Sequence, residues 1–463
     1  MKFRMPHTLV IVGALVVIVL VLSWVIPSGS YQRVEKDGRK ITVPGSYQVV
    51  DKHRLGPHWA LTAPLKGFED GAEIIAFLLI IGGAFAIMQE SGSIEFAIKR
   101  LTASLSSHPT LRILIIPVLM TLFSAAGSSF GMCEETMPFV LIFVPLAISL
   151  GYDSIVGIAI PFLGAAAGFA AACTNPFTVG VAQTIAGVPP FSGIGYRLFT
   201  WVVGTGVCIA WVMVYAARIR KNPRLSPVYE LDRARETHAT DDTGAAGSWS
   251  LRHVLVLVTL LVTMVVLVVG VLKYEWFILE LAALFMAMGL VMGFVSRMGV
   301  NQMAATFAAG AKDMVGVTLI IACGRALLII AREAQVLDTI LFYSSQAIAG
   351  VPPVIAASLM FFIQAIINFF IHSGTGQAAL TMPIMAPLAE LVGLTRQTMV
   401  YAFQLCEFVN PILPTSAVTM GVLGMAKVPW EVWAKWFLPL LGLLMLLSVL
   451  LLVPPVLTHW GPY

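Results

Sequence analysis

From Thr8 to Ile26 the chain carries no charged residue, and apolar runs of this length recur along it. About 20 apolar residues in a helix cross a hydrocarbon core of about 30 Å. Within lipid every backbone N–H and C=O must find its partner inside the protein, which leaves helices or a closed barrel. The runs do not alternate with period two, so a barrel is excluded. Composition agrees: 58% of the 463 residues are hydrophobic and 11% charged, with mean hydropathy +0.90, whereas soluble domains are about a quarter charged. An all-α polytopic membrane protein follows. The net charge of +4 suits Lys/Arg-rich inner loops and calls for no nucleic-acid partner. Cys133, Cys173, Cys208, Cys323 and Cys406 lie in or beside apolar segments without a Cys-x-x-Cys pair, which argues against a disulfide framework or a zinc site.

Taken in order, Lys2 and Arg4 precede the first run, which ends at Trp24-Val25-Ile26-Pro27 without a small-residue cleavage site. This predicts a retained helix entering from the cytoplasm. Residues 27–66 read as a folded exterior loop, 72–88 as a second crossing and 93–110 as an amphipathic surface helix. Leu111–Ala126 and Gly131–Leu150 then read as two arms of a re-entrant hairpin (about 111–150) with its tip at Gly127–Phe130. A segment at 154–185, broken at Thr174-Asn175-Pro176, and a helix at 197–217 complete a first repeat, 1–217. The Arg-rich stretch 218–250 reads as a cytoplasmic linker, and 251–275 as an extra crossing. The second repeat, 276–463, is expected to hold helices at 276–295 and 313–331, an amphipathic link, a hairpin over 353–392, a broken helix over 398–426 and a last helix at 432–454. Four crossings per half plus one make the halves antiparallel, an inverted-topology pair. Lys and Arg favour the inside in this topology, although Arg33, Lys36, Arg39, Lys40, Lys52, Arg54 and Lys66 of the exterior loop run against it.

The stretch Gly127-Ser128-Ser129-Phe130-Gly131-Met132-Cys133-Glu134-Glu135-Thr136-Met137-Pro138 has a counterpart beginning at His372. At a constant offset Ser128, Gly131, Thr136, Met137 and Pro138 fall on Ser373, Gly376, Thr381, Met382 and Pro383. Each copy is followed by an Asn-Pro, Asn175-Pro176 and Asn410-Pro411. Small residues alone could serve close helix packing, but that accounts for neither the shared spacing nor the paired breaks. Hydrophobic segments interrupted at corresponding points of two halves mark the ligand site of a transporter. Unpaired amides at a break attract a carboxylate, while carbonyls and side-chain oxygens coordinate a cation. The candidate substrate set is therefore Ser128, Ser129, Glu134, Glu135, Thr174, Asn175, Ser373, Gly374, Thr375, Glu407, Asn410 and Thr415. A coupling Na⁺ or H⁺ is expected at Ser128, Asn175, Thr178, Ser373 and Asn410.

Intramembrane carboxylates are costly and default to function. Glu134, Glu135 and Glu407 could meet a cationic substrate group or carry protons, or they could be structurally paired. Adjacent helix positions diverge by about 100°, so at most one of Glu134 and Glu135 faces the site. Arg325 could grip a substrate carboxylate with its bidentate fork or neutralise one of those glutamates. His372 reads as a packed polar residue rather than a proton relay. No phosphate-binding Gly-x-x-x-x-Gly-Lys-Ser/Thr loop occurs, so ATP is not the expected drive. No Ser-His-Asp or metal-ligand cluster points to an enzyme, and no cofactor is expected.

Residues 127–136 resemble a Gly-rich stretch ending in Glu-Glu-Thr in YfcC-type carriers of the C4-dicarboxylate anaerobic carrier (DcuC-like) family. Ser373–Leu388, Pro414-Thr415-Ser416 and Gly421-Val422-Leu423-Gly424 are similar to that group's second hairpin and second break. The likeness covers nearly the whole chain and places it in the ion-transporter superfamily. It implies a homodimeric elevator-type transporter, with hairpins and broken helices moving against a static scaffold. Members are described as dicarboxylate carriers or as basic amino acid antiporters. The chain departs from the pattern at Arg325-Ala326 and at Glu407-Phe408-Val409, which blurs the substrate more than the fold.

The function expected is secondary active transport, by symport or antiport, of a small carboxylate-bearing metabolite across the bacterial cytoplasmic (inner) membrane. An amino acid, possibly basic in view of three carboxylates that would repel a dianion, is the first reading. A C4-dicarboxylate is the second. A channel needs a continuous pore, which two closed hairpins oppose, and a non-transporting receptor needs no paired breaks.

Overall fold

The computed structural model describes residues 8–36, 39–43, 45–94, 96–97, 100, 109–240, 250–274, 276–348 and 350–461. Among them, nine helices are long and apolar enough to cross a membrane. This set counts Arg112–Phe130, a hairpin arm, and omits the first broken segment, whose longer piece is only Ser154–Ala170. Most of the surface helix expected at 93–110 lies outside the described residues, as does part of the linker.

The helices pack in two groups. Thr8–Val25, Trp59–Asp70, Ala72–Glu90, Leu251–Tyr274, Ile278–Val295 and Val300–Glu333 lie mainly against one another. The second group holds the hairpin arms, the broken segments, Ile194–Lys221 and Trp430–Leu457. Helix Ala417–Met425 bridges the groups by touching Val300–Glu333 and Ala72–Glu90.

Several expected boundaries move. The exterior loop ends earlier, because Trp59–Asp70 is a helix that buries Ala63 and Gly67 and lays Gly67 on the Ala322 carbonyl. The rest of the loop forms two short antiparallel ribbons, pairing Gly29 with Val49 and Arg33 with Thr42. It is pinned to helix Leu337–Ile348 by Arg33–Asp338 at 2.7 Å and by Tyr47 stacked on Phe342 at 4.0 Å. The crossing expected at 313–331 begins at Val300. Its first turns are polar enough to leave the bilayer yet keep good helix formers, so nothing stops the helix earlier.

The first hairpin corrects the sequence reading most. Its arms are Pro109–Phe130 and Thr136–Ser149, so the tip expected at Gly127–Phe130 is helical and the break is 131–135. The break forms at Gly131, which adopts φ +79°, a conformation costly for any residue with a Cβ. The second hairpin has arms Pro353–Asn368 and Gly374–Leu391, with its break at 369–373. The shared motif therefore spans the break in the first copy and lies within the second arm in the other. The Asn-Pro pairs also differ. Asn175 caps the second half of its broken helix after the break at 171–175, whereas Asn410 sits in the tight 3₁₀ segment Cys406–Ile412 before the break at 413–416.

The first arm and Ser154–Ala170 cross at backbone contact. A Cβ on Gly168 would stand 1.8 Å from the Ser124 carbonyl oxygen, and one on Gly127 2.2 Å from that of Ala165. Gly164-x-x-x-Gly168 is the small-residue ridge that permits this approach. Ser124 also ties the first arm to a third helix, Ile194–Lys221, sharing a hydrogen bond with Thr205 at 2.6 Å and accepting one from Trp201 Nε1 at 2.9 Å.

On the linker side, helix Tyr229–Thr240 braces the inner end of the first broken segment. The Ser154 amide donates to Asp232 Oδ2 at 2.8 Å, Arg235 Nη1 donates to Ser154 Oγ at 2.7 Å, and Arg235 pairs with Asp232 at 3.4 Å. Arg235 also donates to the carbonyls of Ala426 and Lys427. Asp153 caps the helix through the Val156 amide and accepts from Ser226 Oγ at 2.7 Å. Burial pushes its carboxyl above the usual range, against the hydrogen bonds it accepts and with a smaller contribution from Asp232. Asp232→Ala removes the acceptor of the buried Ser154 amide and one of several partners of Arg235, and should cost about 1–3 kcal/mol. Thermal unfolding of the detergent-solubilised protein checks this, and Asp232→Asn, which keeps an acceptor, should lose less.

Candidate functional site

The two breaks of the first half meet each other. Cys173 and Thr174 amides donate to the Ser128 carbonyl at 3.3 and 3.1 Å, and the Cys173 amide also to Ser128 Oγ at 3.1 Å. Thr174 Oγ1 donates to the Ser129 carbonyl at 3.2 Å, and Ser129 Oγ to that of Ala125 at 2.6 Å. Ser128 and Ser129 close the end of a helix, so they present carbonyls rather than free amides, and those carbonyls are already occupied. The idea that their amides receive a carboxylate is set aside for that reason. Asn175 is fully buried. Its Oδ1 accepts from the Phe177 amide at 2.9 Å, which fixes Nδ2 as a donor, and that donor has no partner. Thr178 Oγ1, three residues on, is likewise buried and unpartnered.

The second hairpin docks on this turn. Thr375 Oγ1 donates to the Phe177 carbonyl at 2.9 Å, and Gly374 lies against the Thr178 methyl. Ser373 is exposed, and its hydroxyl is used as a helix cap, accepting from the Gly376 amide at 3.2 Å. His372 Nε2 shares a hydrogen bond with Thr415 Oγ1 at 2.6 Å, and Thr415 also donates to the Phe369 carbonyl at 3.0 Å. The second-half breaks are joined through that pair. His372 is thus a packed polar residue.

Around Glu407 the acceptors collect. Asn410 Nδ2 donates to Glu407 Oε2, leaving Asn410 Oδ1 and Glu407 Oε1 buried without partners. Asn368 lies beside Glu407. Its Nδ2 donates to Gln377 Oε1 at 3.0 Å, and Gln377 Nε2 donates to Gln364 at 2.8 and 2.9 Å. The chain of bonds assigns every amide orientation and leaves Asn368 Oδ1 as another orphan acceptor. Gln364 Nε2 is an orphan donor in the same network. Orphaned polar atoms in an interior are costly, and the three acceptors around Glu407 suit a cation or an ammonium group. Sequence reasoning did not single out Gln364, Asn368 or Gln377. The first two are polar at helical spacing within an apolar run, a signal that could have found them.

Glu134 and Glu135 lie in the break, not on a helix, so the expected 100° divergence does not apply. The Glu135 carboxylate folds back on the Cys133 amide at 2.9 Å. Glu134, Glu135 and Glu407 are all near enough to the Cys133 thiol to act on it electrostatically, which brings the first hairpin's break to the second broken segment. Arg325 takes a partner that neither sequence reading offered: Asp70 at 3.3 Å, on the unexpected helix Trp59–Asp70, although its field still reaches Glu134.

Two hairpin breaks, two broken segments and unpaired buried polar atoms are the features brought together here. The sequence model of the C4-dicarboxylate anaerobic carrier family matches residues 5–456. The chain belongs to that family. Among curated relatives, "Putative basic amino acid antiporter YfcC" of Escherichia coli (strain K12) is 38% identical, over 98% of this chain and 96% of that one. A Haemophilus influenzae protein without an assigned function is 28% identical, over 97% of each. Among solved structures, the Alcanivorax borkumensis YdaH transporter is similar at 19% identity and TM-score 0.42, over 99% of this chain and 100% of that one. Neisseria gonorrhoeae MtrF is similar at 17% and 0.42, over 100% and 98%. Both likenesses are too distant to carry an argument. As a member of the C4-dicarboxylate carrier family with nine apolar helices, the chain is a multi-pass membrane protein of a transporter family.

Proposed function

We propose that the protein is a secondary active transporter of a small amino acid in the cytoplasmic membrane, with a basic one favoured and exchange as its mode. The observation that carries this reading is the cluster of buried, unpartnered acceptors Glu407 Oε1, Asn410 Oδ1 and Asn368 Oδ1. A dianion would be repelled there, while an ammonium group would supply the missing donors. The printed name of the Escherichia coli relative points the same way. The family description favours a second reading, a C4-dicarboxylate carrier. The reading extends to inverted repeats, an elevator movement of the hairpin group against the other helices, a homodimer, and a cytoplasmic N-terminus.

Counterflow in proteoliposomes loaded with L-lysine tests it. Lysine, arginine and ornithine should compete, and succinate and fumarate should not. Strong competition by succinate with none from the basic amino acids sinks the first reading in favour of the second. Exchange should proceed equally in choline and Na⁺ media at fixed pH, and a collapse in choline would establish Na⁺ coupling instead.

A further inference from the structure

Arg197 lies in the first turn of helix Ile194–Lys221 and is 1% exposed. All three of its guanidinium nitrogens are buried and without a hydrogen-bond partner. No carboxylate is paired with it among the described residues. Aromatic rings hold the group in place: its Cζ lies 5.9 Å from the Tyr401 ring centroid and 5.8 Å from that of Trp460. Tyr401 is itself fixed by a 2.6 Å hydrogen bond with Thr200. Faces of Tyr and Trp attract a guanidinium, but they leave its in-plane N–H fork, the edge that binds carboxylates, unsatisfied. A guanidinium in protein stays charged, and an unpaired buried charge is expensive enough to demand a function.

Its position matches the site. Gln404, one turn after Tyr401 on the same helix, donates to the Phe169 carbonyl, so the Tyr401 ring beside Arg197 stands on a helix that packs against the first broken segment. Asn175, in that segment, carries the orphan Nδ2 donor. Unsatisfied donors thus lie on Arg197 and Asn175, while three unsatisfied acceptors lie around Glu407. Tyr401, beside Arg197, and Glu407 share one segment and are roughly 10 Å apart along it. Donors and acceptors opposed across a small site suit a dipolar solute.

We propose that Arg197 is the group that recognises the carboxylate of the transported solute. This rests on the transport reading. A bidentate Arg–carboxylate contact supplies charge-assisted bonds that a neutral side chain cannot replace. The Arg197→Gln variant should therefore weaken binding of a carboxylate-bearing probe by ~10- to 100-fold.

The test uses the full chain in detergent and follows thermal unfolding with L-lysine, with L-lysinamide, which lacks the carboxylate, and with succinate. Wild type should be stabilised by L-lysine at lower concentration than by lysinamide. Arg197→Gln should lose that difference while its response to lysinamide is unchanged. Without ligand the variant should melt no lower than wild type, because it removes an unpaired buried charge. A variant that still prefers L-lysine as wild type does overturns the assignment. So does a ligand-free variant that melts well below wild type and is not rescued by Arg197→Lys, which makes the residue structural. If neither L-lysine nor succinate stabilises wild type, carboxylate recognition fails altogether. Stabilisation by succinate alone, lost in Arg197→Gln, keeps Arg197 as the anion receptor and overturns the amino-acid reading.

Discussion

Glu407→Gln is expected to raise the KM for L-lysine counterflow by about 10- to 100-fold, with little change in the amount of folded protein. The variant is nearly isosteric and keeps an acceptor toward Asn410, whose Nδ2 holds Glu407 Oε2. What it removes is the charge behind Oε1, which has no partner in the protein. A hydrogen bond to a charged group contributes about 1.5–3 kcal/mol, and each 1.4 kcal/mol is about tenfold in affinity. Because the unpaired charge is a burden on the empty protein, ligand-free stability should hold or rise. The defect should be selective: a solute without a cationic group, if carried at all, gains from the change. Uptake of L-lysine by Glu407→Gln within twofold of wild type would remove Glu407 from the site. A companion Asn368→Ala variant should weaken L-lysine less, since Asn368 Oδ1 offers a neutral acceptor.

Gly168→Val should be the most damaging single change to the fold. Even the first carbon of a side chain would lie 1.8 Å from the Ser124 carbonyl oxygen. That obstacle is backbone of a packed helix and cannot rotate away, so the two helices must separate. The first arm is also held on helix Ile194–Lys221 by the Ser124–Thr205 and Trp201–Ser124 hydrogen bonds, so it cannot shift without straining them. Overpacking costs about 1–3 kcal/mol where side chains can adjust, and here they cannot, so about 3 kcal/mol or more is expected. The readout is the monodisperse fraction after solubilisation and the unfolding midpoint. Normal yield and an unshifted midpoint would mean that the crossing is looser than these distances state.

The apolar runs made the class of fold legible, because crossing length and the need to satisfy the backbone in lipid leave few choices. Family membership was legible too, in the motif around Glu134-Glu135-Thr136 and in Ser373–Leu388. Break points were less so. Aligned serines suggested equivalent tips, but a helix continues until its backbone is interrupted, and the interruption comes at Gly131 in one copy and ahead of Gly374 in the other. Arg197 escaped notice because it opens an apolar run, where a basic residue ordinarily marks the membrane boundary. Its burial depends on Tyr401 and Trp460, both distant in sequence. Arg325 was noticed but its partner Asp70 was not, since the helix carrying Asp70 read as loop. Pairings across the fold are what a single sequence hides.

The short helix Tyr229–Thr240 touches the start of one broken segment at Ser154 and the end of the other at Ala426 and Lys427. Mechanically it is a tie-beam. Two members that met only at their midpoints could each tilt alone; joined at one end, they share displacement.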